Sequence, residues 1–287
     1  MNLKSDFFGD WLNILRDILT NHWGYDTTNV SDDELPFLYF NAEKRRPDQR
    51  QRQVEVSDSF VCPAELQAGW ERLKGIIESG GNITPNLSKL VDRLTNKDSL
   101  LNDWGVHHFH LGENLDGNFI ERTGPLLFAL VTNDRFYAIN VFNHGAWADE
   151  EIVEIIHRNW PEVVKPYKIN DASLATQISE EQRLTLRAKN GNSFVSVSDG
   201  TVYAPPGGGI VCSGYNVQAV LQTHRQRDLL RTLEDHLQAQ LPNLKDKLIE
   251  NGYVNEQEIE ATLEITESDY IAMFPKYNMA VILYKSS

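Results

Sequence analysis

Two runs rich in aromatic and branched residues, Leu126 to Thr132 and Arg135 to Phe142, are separated only by Asn133 and Asp134. Both of those residues tolerate left-handed backbone angles, so the expected connection is a tight β-hairpin. On its second strand Tyr137, Ile139 and Val141 share one face, and Phe136, Ala138, Asn140 and Phe142 share the other. Residues 105 to 111 also alternate, with Val106, His108 and His110 on one side and His107, Phe109 and Leu111 on the other. A polar loop over 112–124 joins that strand to the hairpin. These three runs predict an antiparallel sheet in the middle of the chain.

Helical spacing surrounds this sheet. Phe7, Phe8, Trp11, Leu12, Leu15 and Ile18 recur at intervals of three and four, which predicts a helix over about 5–20. Pro63 can open a second helix through Leu66, Trp70, Leu73 and Ile77, which Gly80 and Gly81 end. A short helix is expected over 85–94. Another is expected after the hairpin, capped by Asp149 and stopped by Pro161. Every tryptophan lies at or before Trp160, and the polar stretch after it places a domain boundary in 162–180. Beyond that boundary, strands are expected at 184–188 and 194–197. A turn at Ser198-Asp199-Gly200 then leads into Val202 and Tyr203. A long helix over 216–240 and strands near 259–265, 270–274 and 279–284 complete the reading. The expected fold class is α+β: a helical N-terminal region, a central antiparallel sheet within residues 1–165, and a second α+β domain over 180–287.

Composition narrows the function. The 287 residues carry 27 Lys+Arg against 41 Asp+Glu, a net charge of −14, which repels phosphate backbones at long range and disfavours extended nucleic-acid binding. A local basic groove is still compatible with that charge. Lys44, Arg45, Arg46, Arg50 and Arg52 form such a cluster, read either as a solvated loop or as an arm that grips phosphate or docks a partner. No apolar run approaches the ~20 residues that a membrane helix needs, so no membrane association is expected. The acids among the first residues make a poor secretory signal. Cys62 and Cys212 are too few and too far apart for a disulfide framework or a metal motif. A soluble, cytoplasmic protein without a cofactor is the expectation.

Chemistry concentrates in the histidines. Of eight, five fall between positions 107 and 157: His107, His108, His110, His144 and His157. His108 and His110 would project from one strand face about 7 Å apart, given a rise of ~3.3 Å per residue. His144, just past the neighbouring strand, would join them if strands 105–111 and 135–143 are adjacent. Two imidazoles side by side repel when protonated and need a compensating partner. One chemistry that suits them is metal-free RNA cleavage: a neutral histidine takes the proton of a ribose 2′-hydroxyl, and a protonated one protonates the leaving 5′-oxygen. Arg122 would stabilise the phosphorane, with Arg135 in reserve and Arg45 and Arg46 as further substrate contacts. The other is a metal site made of His108, His110 and Glu113. His107 and His157 read more simply as packed, hydrogen-bonded residues.

The order of elements over 104–160 is a strand bearing histidine, a loop with Arg122, an aromatic hairpin over Pro125–Val131 and Phe136–Phe142, and then a helix. This resembles the small α+β ribonuclease toxins of the RelE and BrnT type. The resemblance implies an intracellular endoribonuclease, a toxin or defence effector acting on RNA, with His108, His110 and Arg122 as site residues supported by His144. A non-enzymatic regulatory protein that binds a protein or small ligand is the alternative reading. In the second half, Pro205-Pro206-Gly207-Gly208-Gly209 lacks the lysine of a phosphate-binding loop and reads as a tight structural turn. Cys212 reads as a small buried residue, with a nucleophilic role beside His224 as the other option.

Overall fold

The computed structural model describes residues 2–266 and 269–285. Contacts divide the chain into two units, Met1–Tyr39 with Leu221–Ser287, and Phe40–Val220. The first begins with a short strand β1 (Asn2–Lys4) and helix α1 (Phe7–Asp17). Asp6 caps α1 by accepting the Gly9 N–H, and Phe7, Trp11, Leu12 and Leu15 form its buried stripe. The helix ends in a π turn over Ile18–His22. The first unit boundary falls inside α2 (Leu35–Arg45), a helix with no counterpart among the elements expected from the sequence.

The second unit is built on a four-stranded sheet. Its early elements are β2 (Gln53–Val56), α3 (Gln67–Ser79), α4 (Ser99–Trp104) and β3 (Val106–Phe109). A small ladder of β4 (Leu115–Asp116) and β5 (Phe119–Ile120) follows, then the hairpin of β6 (Leu126–Val131) and β7 (Arg135–Phe142). The strand order is β2-β7-β6-β3. The hairpin closes as expected, with the Thr132 N–H donating to the Arg135 carbonyl at 2.9 Å. Two expectations change. The sheet is mixed, because β2 runs parallel to β7, with Val54 opposite Phe136. That pairing is possible because the long connection between them carries α3, α4 and β3. The histidine strand β3 pairs with β6, placing His108 opposite Phe128, so β6 separates it from β7.

Strand alternation fills both faces. Val106, Phe128, Leu130, Tyr137 and Ile139 share a core with Ile152, Val153, Ile155 and Ile156 of α5 (Glu151–Asn159). Phe109, Leu127, Ala129, Phe136 and Ala138 pack on Trp70, Leu73 and Ile77 of α3. At Gly69 a Cβ would lie 1.8 Å from the Leu111 carbonyl oxygen, so α3 reaches the end of the histidine strand only because that position is glycine.

Beyond α5 come α6 (Pro161–Val164), β8 (Lys168–Ile169), α7 (Glu180–Ala188), β9 (Val195–Ser196) and β10 (Val202–Tyr203). The expected strand at 184–188 is therefore a helix. Ser179 and Gln182 form a reciprocal capping box, and Glu180 and Glu181 occupy the first turn. The expected helix over 85–94 is two 3₁₀ turns, Thr84–Asn86 and Lys89–Asp92. The division at 162–180 also fails, because Val164, Val195, Val197 and Tyr203 join the same core as Trp104. The polar stretch there crosses the surface of one unit.

Helix α8 (Val217–Glu250) is longer than expected, holds Pro242, and contains the second unit boundary. The expected strand at 259–265 is two: β11 (Glu258–Glu260) pairs in parallel with β1, and β12 (Thr262–Ile265) starts an antiparallel sheet with β13 (Asp269–Phe274) and β14 (Met279–Lys285). Asp10 of α1 accepts the Leu263 N–H, so the N-terminal helix belongs with the C-terminal strands. Among the described residues no helix is long and apolar enough to cross a membrane.

Candidate active site

His107, His108, His110 and His144 line one cavity of about 470 Å³ in the second unit, together with Arg122, Thr123, Asp98 and Trp147. Strand β3 supplies His107 and His108. His110 lies one residue past the strand and is clamped by Asn86, whose carbonyl accepts the His110 N–H at 2.7 Å and whose side-chain amide donates to the His110 carbonyl at 2.8 Å. His144 stands exposed on the loop after β7. Trp147 connects the two ends of the cluster, its ring centroid 4.9 Å from that of His108 and 5.2 Å from that of His144.

The four imidazoles are not equivalent. The Thr123 N–H donates to His110 Nδ1 at 3.2 Å, so Nδ1 is an acceptor and the ring proton sits on Nε2. Burial, with repulsion from His108, Arg122 and His144, pushes the pKa of His110 down to about 4. His107 is also pushed down to about 4, chiefly by burial, and its Nε2 lies 3.2 Å from the Lys44 carbonyl, to which it donates in the tautomer protonated there. Near neutral pH both rings are uncharged. His110 is then a neutral N–H donor towards the cavity. Burial also lowers Lys44 to about 8, against the attraction of Asp98.

Asp98 is the one carboxylate among the described residues that line the cavity. Its Oδ1 accepts the Leu101 N–H at 3.0 Å and caps α4, while Oδ2 lies 3.8 Å from His108 Nδ1. Behind the cavity a buried ion pair braces α4 against α7: Arg187 Nε donates to Asp103 at 2.7 Å, and its guanidinium stands 4.4 Å from the Trp104 ring. Burial raises the Asp103 carboxyl and lowers the Arg187 guanidinium, each opposed by the other's charge. Arg187 also donates to the Trp147 carbonyl, which ties the cavity's indole to this brace.

The remaining expected site residues are placed elsewhere or already engaged. Arg45 lines the cavity, but its guanidinium donates to the carbonyls of Asn41, Leu90, Arg93 and Leu94. Arg46 pairs with Asp92 at 2.7 Å, and Arg135 pairs with Glu55 at the far end of the hairpin. The basic cluster is thus no mobile arm: Lys44 and Arg45 end α2, and Arg45 and Arg52 are buried. Glu113 lines a separate depression with Glu121, so the metal triad given as the alternative chemistry is not assembled. Among the described residues no group of three or more His, Cys, Asp or Glu is arranged to hold a metal ion. His157 meets the Tyr203 hydroxyl at 2.8 Å and Asp199 at 3.2 Å, apart from the cavity. Cys212 is exposed, not buried. The glycine run is a structural turn, since the amides of Gly207, Gly208 and Gly209 donate to Asp103, Pro205 and Asn102.

Sequence reasoning missed Asp98 and Trp147 and set His107 aside. An Asp-Ser pair ahead of a short apolar helix signals a cap, so Asp98 was findable as a cap but not as a neighbour of His108. The chain matches no family model, no curated protein and no solved structure.

Proposed function

We propose that this cavity is the active centre of an intracellular, cytoplasmic endoribonuclease that needs no metal. The observation that carries the reading is the convergence of His108, His144 and Arg122 on one cavity with Trp147 between the two imidazoles. In the reaction, one of those imidazoles takes the proton of a ribose 2′-hydroxyl as the 2′-oxygen bonds to phosphorus. The other, protonated, gives its proton to the 5′-oxygen as the P–O5′ bond breaks. The products are a 2′,3′-cyclic phosphate and a free 5′-hydroxyl. Arg122 forks onto the non-bridging oxygens as their charge grows, and the neutral Nε2–H of His110 adds a donor.

The test is cleavage of a mixed RNA in excess EDTA by the parent and by His108→Ala, His144→Ala and Arg122→Ala. Each histidine variant is expected to lose about 10²–10⁴-fold in rate, and the parent's products to carry 2′,3′-cyclic ends. Equal cleavage by all four proteins, or cleavage abolished by EDTA, overturns the reading. A parent that neither binds nor cuts RNA favours the regulatory protein that binds a protein or small ligand instead.

A further inference from the structure

His108 Nδ1 is buried and has no hydrogen-bond partner, yet a carboxylate oxygen of Asp98 stands 3.8 Å away. A bare Nδ1 would aim its lone pair at that negative oxygen, whereas an N–H there would be attracted to it. The separation exceeds a hydrogen bond, but such contacts in ligand-free sites are often long and tighten when substrate binds. Asp98 cannot drift far, because its other oxygen caps α4 on the Leu101 N–H. The His108 ring also packs against aromatic neighbours, with Phe128 at 6.5 Å and Trp147 at 4.9 Å between ring centroids. The geometry points to Asp98 as the positioning residue of His108: it holds the ring proton on Nδ1 and presents Nε2 to the cavity as the nitrogen that exchanges protons. The catalytic half of this inference rests on the ribonuclease reading; the tautomer half does not.

Asparagine caps a helix as well as aspartate does, so Asp98→Asn removes the charge while leaving α4 capped. The experiment compares ¹⁵N-histidine NMR spectra of the full chain and of Asp98→Asn at a pH where imidazoles are neutral. The His108 signals are identified by their loss in His108→Gln. In the parent, His108 is expected to show a protonated Nδ1 and a bare Nε2. In Asp98→Asn the proton moves wholly or partly to Nε2, and kcat on RNA falls by up to the about 10²–10⁴-fold lost with His108 itself, with little change in KM. Asp98→Ser keeps a capping oxygen but lacks the reach to His108, and gives the same readout if the amide unsettles α4. A parent with its proton on Nε2, or a tautomer unchanged in both variants, overturns the inference. A tautomer that moves in a protein that cuts no RNA upholds Asp98's hold on His108 and overturns the ribonuclease reading alone.

Discussion

Two of the cavity's imidazoles are kept uncharged, and that has a cost in acid. The pKa of His107 stands at about 4 in the folded chain, against about 6.5 when unfolded. Between those values the unfolded chain binds a proton that the folded chain does not, so stability falls as pH drops through that window and levels off below it. His107 alone contributes on the order of 3 kcal/mol to this loss, and His110 acts with the same sign. His107→Gln keeps an amide N–H to meet the Lys44 carbonyl but does not titrate. In urea unfolding between pH 7 and pH 4, the parent is expected to lose more stability than His107→Gln. Parallel curves would show that folding does not depress the His107 pKa.

Among the elements, the cavity depends on how α4 is fixed, since α4 carries Asp98 at its cap and Asp103 in its last turn. The Asp103–Arg187 pair is buried at both ends. Leaving one charge of such a pair unmatched costs about 3–5 kcal/mol, whereas replacing both with apolar groups is often neutral. Arg187→Met is therefore expected to destabilise by that amount in chemical denaturation, and Asp103→Leu combined with it to recover most of the loss. Additive losses would mean that each side chain acts through packing alone. Gly207 sets a second limit: a Cβ there would lie 2.4 Å from the Leu101 carbonyl oxygen, so Gly207→Ala is expected to lower the melting temperature by several degrees. These dependences also explain what the sequence could disclose. The α1 stripe, the hairpin and the α3 helix were legible because each is written in neighbouring residues. At 184–188 the alternation of Leu184 and Leu186 reads as strand, while the Ser179–Gln182 box that starts a helix lies just upstream. The parallel pairing of β2 with β7, and the hold of Thr123 on His110, join positions that no local pattern links. The convergence of the histidines was legible only as a cluster in sequence, and Asp98 reaches it through the folded chain.

Over the whole molecule the charge is −14, while the cavity presents Arg122, Lys97 and imidazoles against the single carboxylate Asp98 among its described lining residues. At about 0.01 M salt the screening length is ~30 Å and the full negative charge acts on an approaching RNA; at physiological salt it is ~8 Å and the cavity's own cations dominate. The kcat/KM for a short RNA is therefore expected to rise a few-fold as salt increases from ~0.01 to ~0.15 M, opposite to the usual fall for phosphate-binding proteins. A steep fall would show that phosphate contacts outweigh the molecule's field. The division of the chain has a further effect. One unit is a single stretch, Phe40–Val220, but the other joins both ends of the chain, with β1 paired to β11 and α1 hydrogen-bonded to β12. On a ribosome, the inner stretch has emerged whole while Leu263 and Ile259 are still to be made, and domains fold as units during synthesis. The buried stripe of Phe7, Trp11, Leu12 and Leu15 is thus synthesised well before the strands it folds with. During that wait it is a ready site for a chaperone.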